Sequence, residues 1–135
     1  MDYRLKALIQ NRVGSLPNEI SLKVYYLIQR KFGNLKYVNP LPLLKNGRDL
    51  MQIISNNGME LKNKSFLEIG TGRCPLIPLL LYTHGAAAVT TVDLNPYFSL
   101  EIWKESIEWI ENNFSLIKNQ FPKLNLDRMN IILSS

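Results

Sequence analysis

Cysteine and histidine are nearly absent from this 135-residue chain, which contains only Cys74 and His84. One cysteine cannot form an internal disulfide, and a single cysteine with a single histidine cannot assemble a zinc or iron site of the common types. The acidic residues form no cluster in the sequence that would indicate a magnesium site. We therefore expect neither a metal centre nor a disulfide framework.

Long hydrophobic runs are also missing. The longest apolar stretch, PLIPLLLY at residues 75–82, is far shorter than the roughly 20 residues that a membrane-spanning helix needs. The first residues, MDYRLKALIQNR, lack the apolar centre and the small cleavage-site residues of a signal peptide. These features predict a cytoplasmic protein without a membrane span, and the length of the chain predicts one compact unit.

Charge is distributed unevenly along the chain. The net charge is +5, but residues 1–64 contain eleven basic and four acidic residues, whereas the remainder contains five basic and seven acidic residues. This asymmetry is compatible with a solvated lysine-rich surface or with a basic face that binds RNA or another anionic partner. The basic residues are scattered rather than clustered, which favours the solvated surface. A noncatalytic module that binds RNA or another anionic partner through its basic N-terminal half stays open as the alternative.

Helical patterns dominate the first 63 residues, and an alternation of strands and helices follows. Apolar residues recur at helical spacing in residues 18–32 and again in residues 47–57, which predicts a helical N-terminal cap over residues 1–63. The later pattern predicts a strand at SFLEI (65–69), a helix over 75–84, a strand at AVTTVD (88–93), a long helix over 98–118 and a third strand at MNIILSS (129–135).

The order of these elements predicts a fold of the α/β class. Short helical crossovers between consecutive strands require parallel pairing. We therefore predict a Rossmann-like, doubly wound parallel sheet of which only the first half, with strand order 3-2-1, is present. Residues 64–135 would form this half-domain after the cap of residues 1–63, in one compact unit. Ligands of such folds bind at the carboxyl ends of the strands, which here are the turn after Glu68 and Asp93.

The turn after the first predicted strand has the spacing of a nucleoside-binding site. Gly70 and Gly72 form a Gly-x-Gly turn, and Asp93 at the end of the second strand can accept hydrogen bonds from both ribose hydroxyls. A dinucleotide-binding turn would carry glycine where this chain has Pro75, and the charge of Glu68 would repel a pyrophosphate. The same carboxylate would attract the ammonium and sulfonium groups of S-adenosylmethionine. The pattern therefore favours S-adenosylmethionine over a nicotinamide dinucleotide.

The stretch FLEIGTGRCPLIPLLLYTHGAAAVTTVDLNP, residues 66–96, resembles the first motif and the second strand of class I S-adenosylmethionine-dependent methyltransferases. In that family an acidic-x-Gly-x-Gly turn holds the methionine portion of the cofactor. The acid that ends the second strand binds the ribose, and the residue after it lies against the adenine. The resemblance implies this set of cofactor-binding residues: Glu68, Gly70, Thr71 and Gly72 for the methionine portion, Asp93 for the ribose and Leu94 for the adenine.

The resemblance also implies a function: a methyltransferase with S-adenosylmethionine as its cofactor, of which this chain contains the cofactor-binding N-terminal half. In the family, the groups that position a methyl acceptor usually follow the fourth strand, so the sequence identifies neither catalytic residues nor the acceptor. Because methyl transfer depends on holding the nucleophile, the methyl group and the sulfur in line, we expect a poor catalyst when the chain is alone. The sequence favours a fragment of a longer methyltransferase, and a complete small protein that keeps the fold for cofactor binding stays open as the alternative. Cys74 stands at the third small position of the signature, and we expect it to be a compact filler rather than a reactive thiol.

Overall fold

The structure is a computed structural model that describes residues 3–33, 36–94 and 98–134. Asn95 and Pro96, which end the stretch that carries the resemblance, lie outside the described residues, as does Ser135 of the predicted third strand. The described residues form seven helices and two strands: α1 (Tyr3–Gly14), α2 (Asn18–Phe32), α3 (Leu41–Asn56), β1 (Ser65–Ile69), α4 (Leu76–Thr83), β2 (Ala88–Val92), α5 (Leu100–Asn112), α6 (Phe114–Gln120) and α7 (Leu126–Leu133).

The chain divides into two compact units, Met1–Tyr37 and Val38–Ser135. The first unit contains α1 and α2, which contact each other. Its Val13 is buried, whereas apolar side chains of α2 such as Leu27 and Phe32 are exposed. The second unit contains all the remaining elements and every predicted site residue, and it groups α3 with residues 64–135.

Helix α4 is the centre of the second unit. It is apolar on nearly all sides, and Leu76, Leu79, Leu80 and Leu81 are buried, as expected of a helix with no polar face. The helix begins after Pro75, so its prolines stand where backbone N–H groups have no helical partner. The sequence-based prediction of a helix in this segment is confirmed.

The main core of the second unit forms where α3, α5, α6 and α7 pack around α4. Helix α3 approaches α4 closely at Gly47, because a Cβ atom there would lie 2.5 Å from Cδ1 of Leu80. The buried apolar side chains that surround α4 in this core come from all four helices and the loop before α7: Leu44, Ile107, Ile110, Ile117, Phe121, Leu124, Met129 and Ile132.

The two strands pair in parallel, in a register that runs from Ser65 opposite Ala88 to Ile69 opposite Val92. This confirms the predicted parallel pairing of β1 with β2 across α4. One face of the pair packs through Phe66 and Val89 onto a small core that includes residues of α3 and α4. On the other face, Leu67 and Ile69 are 63% and 80% exposed. The short apolar run SFLEI is typical of a buried parallel strand, and that prediction is wrong for this face of β1 in the described residues.

The predicted half-sheet of strand order 3-2-1 is wrong, because the described residues form two strands and most of MNIILSS lies in α7. The side chain of Asn125 accepts the backbone N–H of Arg128 at 3.0 Å, and Asp127 stands in the first turn. Both features stabilise a helix start. The described chain is mostly helical, and a Rossmann-like doubly wound sheet is not what it forms.

The long helix predicted over residues 98–118 is two helices. Helix α5 ends at Asn112 and α6 begins at Phe114, with Asn113 between them. The Nδ2 group of Asn113 donates to the carbonyl oxygen of Trp109 at 2.8 Å. This side chain competes with the backbone for a helical acceptor, which explains why the helix is interrupted here although the apolar periodicity of the sequence continues.

Candidate functional site

The Gly-x-Gly turn begins directly after β1 and is fixed to the end of β2. The N–H of Gly70 donates to the carbonyl oxygen of Val92 at 2.7 Å, which continues the ladder by one bond beyond β1. Gly70 and Gly72 have φ angles of 85° and 68°, a region that side chains disfavour. Both glycines are therefore required by the backbone of the turn.

Asp93 lies beside this turn, as its position at the end of the neighbouring strand predicts. Its Oδ2 atom accepts the backbone N–H of Gly72 at 2.7 Å. The contact joins the turn to the residue after β2 and gives Asp93 a positioning role that the sequence analysis missed. An acid directly after a strand that neighbours a glycine turn is the signal that could have indicated it. A carboxylate has about four acceptor positions, so this bond and a ribose contact are chemically compatible.

Two polar atoms near the turn are buried without a hydrogen-bond partner among the described residues: Oε2 of Glu68 and Oγ1 of Thr71. Leaving a buried polar group unpaired costs about 1–3 kcal/mol, and more when the group is charged. Native proteins pair nearly all such atoms with protein, water or ligand. The carboxylate oxygen of Glu68 can only accept, so its missing partner is a donor. The ammonium group of S-adenosylmethionine is such a donor, whereas a pyrophosphate is not.

Cys74 lies in the core just before α4. Its Sγ atom is 3.8 Å from Oγ of Ser106 on α5. Burial raises the pKa of the Cys74 thiol, and this effect outweighs the lowering by hydrogen bonds with the Leu76 backbone and with Ser106. The nearby Glu68 carboxylate adds the smallest effect, which also raises the pKa. The third small position of the signature is therefore occupied by a neutral group, and Glu68 supplies the negative charge at this end of β1.

Leu94 follows Asp93 and is fully exposed, at 100%. An exposed apolar side chain next to the proposed ribose contact is available to a flat aromatic ring, but the adenine contact stays a prediction. The structure thus brings Asp93 onto the Gly-x-Gly turn and places Glu68 and Thr71 around it, with Leu94 directly after Asp93.

Metal sites and membrane-spanning helices are absent from residues 3–33, 36–94 and 98–134. In that part of the chain, no group of three or more His, Cys, Asp or Glu residues could hold a metal ion. No helix in the same residues is long and apolar enough to cross a membrane. The basic residues of the first 64 positions are divided between the two compact units, and RNA binding through them stays a prediction.

Comparisons with protein-family models, with curated proteins and with solved structures find no match for this chain.

Proposed function

We propose that this chain is the cofactor-binding portion of an S-adenosylmethionine-dependent methyltransferase, with the cofactor at the carboxyl ends of β1 and β2. The observation that carries the proposal is a pair of buried oxygen atoms, of Glu68 and Thr71, that have no hydrogen-bond partner among the described residues and lie around a glycine turn fixed by Asp93. All three residues belong to the β1–α4–β2 unit or directly follow it. The proposal therefore rests on this unit and does not require a third strand.

Each residue has a defined part in this proposal. Glu68 would accept hydrogen bonds from the ammonium group of the methionine portion, and Thr71 would offer its hydroxyl beside it. Gly70 and Gly72 would let the backbone approach the ligand closely. Asp93 would bind the ribose hydroxyls while its bond to Gly72 holds the turn. When bound, the cofactor supplies a methyl group activated by a sulfonium.

Electrostatics distinguishes this cofactor from nucleotides with phosphates. Glu68 and Asp93 stand near the ends of neighbouring strands, so their negative charges reinforce each other in the same region. A cationic adenosine derivative is attracted there, and a pyrophosphate is repelled. A methyl acceptor is not defined by the described residues, and the cytoplasmic location expected from the sequence stays a prediction.

Calorimetric titration of the folded chain with S-adenosylmethionine and S-adenosylhomocysteine tests the proposal. Both ligands are expected to bind. Glu68→Gln keeps the size of the side chain and removes its charge, so it should weaken S-adenosylmethionine, which carries the sulfonium, more than S-adenosylhomocysteine. Asp93→Asn retains an oxygen that can accept from Gly72. Each substitution is expected to lower the affinity for S-adenosylmethionine by about 10- to 100-fold, the range for losing a hydrogen bond to a charged group.

Glu108→Gln is the matched control, because Glu108 is exposed on α5 and lies outside the site. This variant should bind both ligands like the original chain. Absence of binding at about 1 mM ligand, which corresponds to a binding free energy weaker than about −4 kcal/mol, would refute the proposal. Tighter binding of NAD than of S-adenosylhomocysteine would favour an oxidoreductase instead. Salt-dependent RNA binding that persists in Asp93→Asn, without cofactor binding, would favour the noncatalytic module.

A further inference from the structure

A cavity of about 560 Å³ lies at the amino ends of the two strands. Its lining includes Lys62, shortly before β1, and His84, shortly before β2. These two approaches are joined by the N–H of Asn63, which donates to the carbonyl oxygen of Gly85 at 3.0 Å. A strand of five residues is about 16 Å long. The cavity is therefore separate from the Gly-x-Gly turn at the other end of the strands.

The inner wall of this cavity is apolar. Ile54 of α3 and Phe121 after α6 line it and are 7% and 3% exposed, so they belong to the packed interior. Met51 and Leu61 add partly buried apolar surface. Met59 lines the same cavity and is 57% exposed. Methionine side chains adapt to irregular apolar ligands because they are flexible and polarizable. The wall therefore suits a hydrocarbon body.

His84 and Phe121 form a fixed part of the wall. The Nδ1 atom of His84 donates to the carbonyl oxygen of Leu80 at 2.8 Å, which sets the position of the ring. The ring meets Phe121 edge to face, with the centroids 5.7 Å apart. This part of the cavity is formed before any ligand binds, which reduces the entropy that a ligand must lose.

Positive charge dominates the polar part of the lining. Arg48, Lys62 and Lys123 line the cavity, and among the described lining residues Glu60 is the one carboxylate. All three basic side chains are exposed. Their charges therefore carry no desolvation cost in the free protein, and they are accessible to a ligand. The apolar wall and the excess of cations select for the same kind of molecule, one with an apolar body and one negative charge.

We propose that this cavity binds a small amphiphilic anion, of the class of medium-chain carboxylates. The hydrocarbon chain lies against Met51, Ile54 and Phe121, and the carboxylate lies among Arg48, Lys62 and Lys123. The volume is within the range of roughly 300–1,000 Å³ that small-molecule sites occupy. A polyanion such as RNA would need a longer track of cations and would gain nothing from the apolar wall. This site is independent of the cofactor site proposed above.

Calorimetry on the full chain with decanoate, below its micellar concentration, tests the charge argument. Decyltrimethylammonium is the matched probe, because it has the same hydrocarbon length and the opposite charge. Decanoate is expected to bind, and decyltrimethylammonium is expected to bind at least about 10-fold more weakly. No binding of decanoate, or equal binding of the two probes, would overturn the proposal, since equal binding indicates adsorption to apolar surface.

Two pairs of variants locate the binding. Arg48→Gln with Lys123→Gln should weaken decanoate by about 10-fold, as expected for the loss of two exposed ion pairs. Lys45→Gln with Lys118→Gln makes the same change of net charge at exposed positions outside the cavity lining, and it should change the affinity by less than about 2-fold. Equal effects of the two double variants would overturn the assignment of the carboxylate position.

A substitution that fills the cavity gives a test that does not depend on charge. Ser55 lines the cavity from α3 and is exposed, so a larger side chain is compatible with the helix. Ser55→Trp should abolish decanoate binding without lowering the midpoint of thermal unfolding, and Ser55→Ala should retain binding. Unchanged decanoate affinity in Ser55→Trp would overturn the proposal.

Discussion

The contrast between neighbouring isoleucines at the end of the chain provides the sharpest test of the fold. In α7, Met129 and Ile132 are 2% and 5% exposed, whereas Ile131 is 58% exposed. Residues three apart share a face of a helix, and residues two apart share a face of a strand. A third strand would therefore place Met129 and Ile131 on one face and Ile132 on the other. The helix and the strand predict opposite roles for Ile131.

The magnitudes follow from the burial of each side chain. Ile132→Ala removes a buried side chain from the main core, and such substitutions cost about 2–5 kcal/mol in the free energy of unfolding. Ile131→Ala removes an exposed side chain, and surface substitutions usually stay within about 0.5 kcal/mol. For a unit of this size, 1 kcal/mol changes the midpoint of thermal unfolding by roughly 4–8 °C. The two variants should therefore differ by at least about 6 °C.

Thermal and urea unfolding followed by circular dichroism measures this difference, with Met129→Ala as a third variant. Met129→Ala should resemble Ile132→Ala, and Ile131→Ala should resemble the original chain. If Met129→Ala and Ile131→Ala were equally destabilising while Ile132→Ala was mild, the segment would be a strand and the packing of α7 described above would be refuted.

Two further predictions concern contacts around α4. Arg128 donates to the carbonyl oxygens of Tyr82 and Ala86 and lies over the Tyr82 ring. Because Arg128→Met removes these contacts, it should lower the free energy of unfolding by roughly 2–4 kcal/mol, and Arg128→Lys should lower it by less. Urea unfolding measures both variants, and a loss below about 0.5 kcal/mol in Arg128→Met would contradict the role assigned to these bonds. Burial and the nearby Lys123 lower the pKa of His84 in the folded state. Below pH 6.5 the unfolded state therefore binds a proton more readily than the folded state does, and the free energy of unfolding decreases as the pH falls. His84→Asn can still donate to Leu80 and should show a smaller loss of thermal stability between pH 7 and about 5.5; identical pH profiles would contradict the assigned cause.

The elements with strong local signals could be predicted from the sequence. Helix α2 and most of α3 follow from apolar periodicity, and α4 follows from the placement of its prolines and from Gly85, whose φ is 107°. The parallel pairing of β1 with β2 follows from the helical crossover between them. These signals lie within a few residues of the structure that they specify, which is why single-sequence reasoning detects them.

The errors arose where tertiary packing decides between two local possibilities. A short apolar run such as NIIL is compatible with a strand or with a buried helix, and periodicity alone does not separate them. The cap at Asn125 was the signal in favour of the helix. The interruption at Asn113 depends on one side chain that bonds to Trp109, and an apolar periodicity continues through it without change.

The two candidate sites differ in the same way, because a local sequence pattern indicates one of them and only tertiary packing forms the other. The spacing of Glu68, Gly70 and Asp93 is a local pattern in two short segments, and the structure brings those segments together. The cavity near His84 is built from parts of α3, of the loop before β1 and of the segment after α6. No spacing in the sequence relates these parts, so only the packed structure indicates it.

The correction of the fold changes what the proposed function depends on. A half-sheet of three strands would have supported a methyltransferase by its overall architecture. The segment predicted as the third strand lies mostly in α7, so the architecture does not support the proposal. What remains is local: a glycine turn with two left-handed residues, a carboxylate after the next strand that holds it, and a carboxylate oxygen beside it that no described residue pairs. These features need only β1, α4 and β2. The charge of the carboxylates also leads to a prediction that the overall architecture would not give. A positive ligand should lose affinity when Glu68 becomes neutral, whatever the rest of the chain forms.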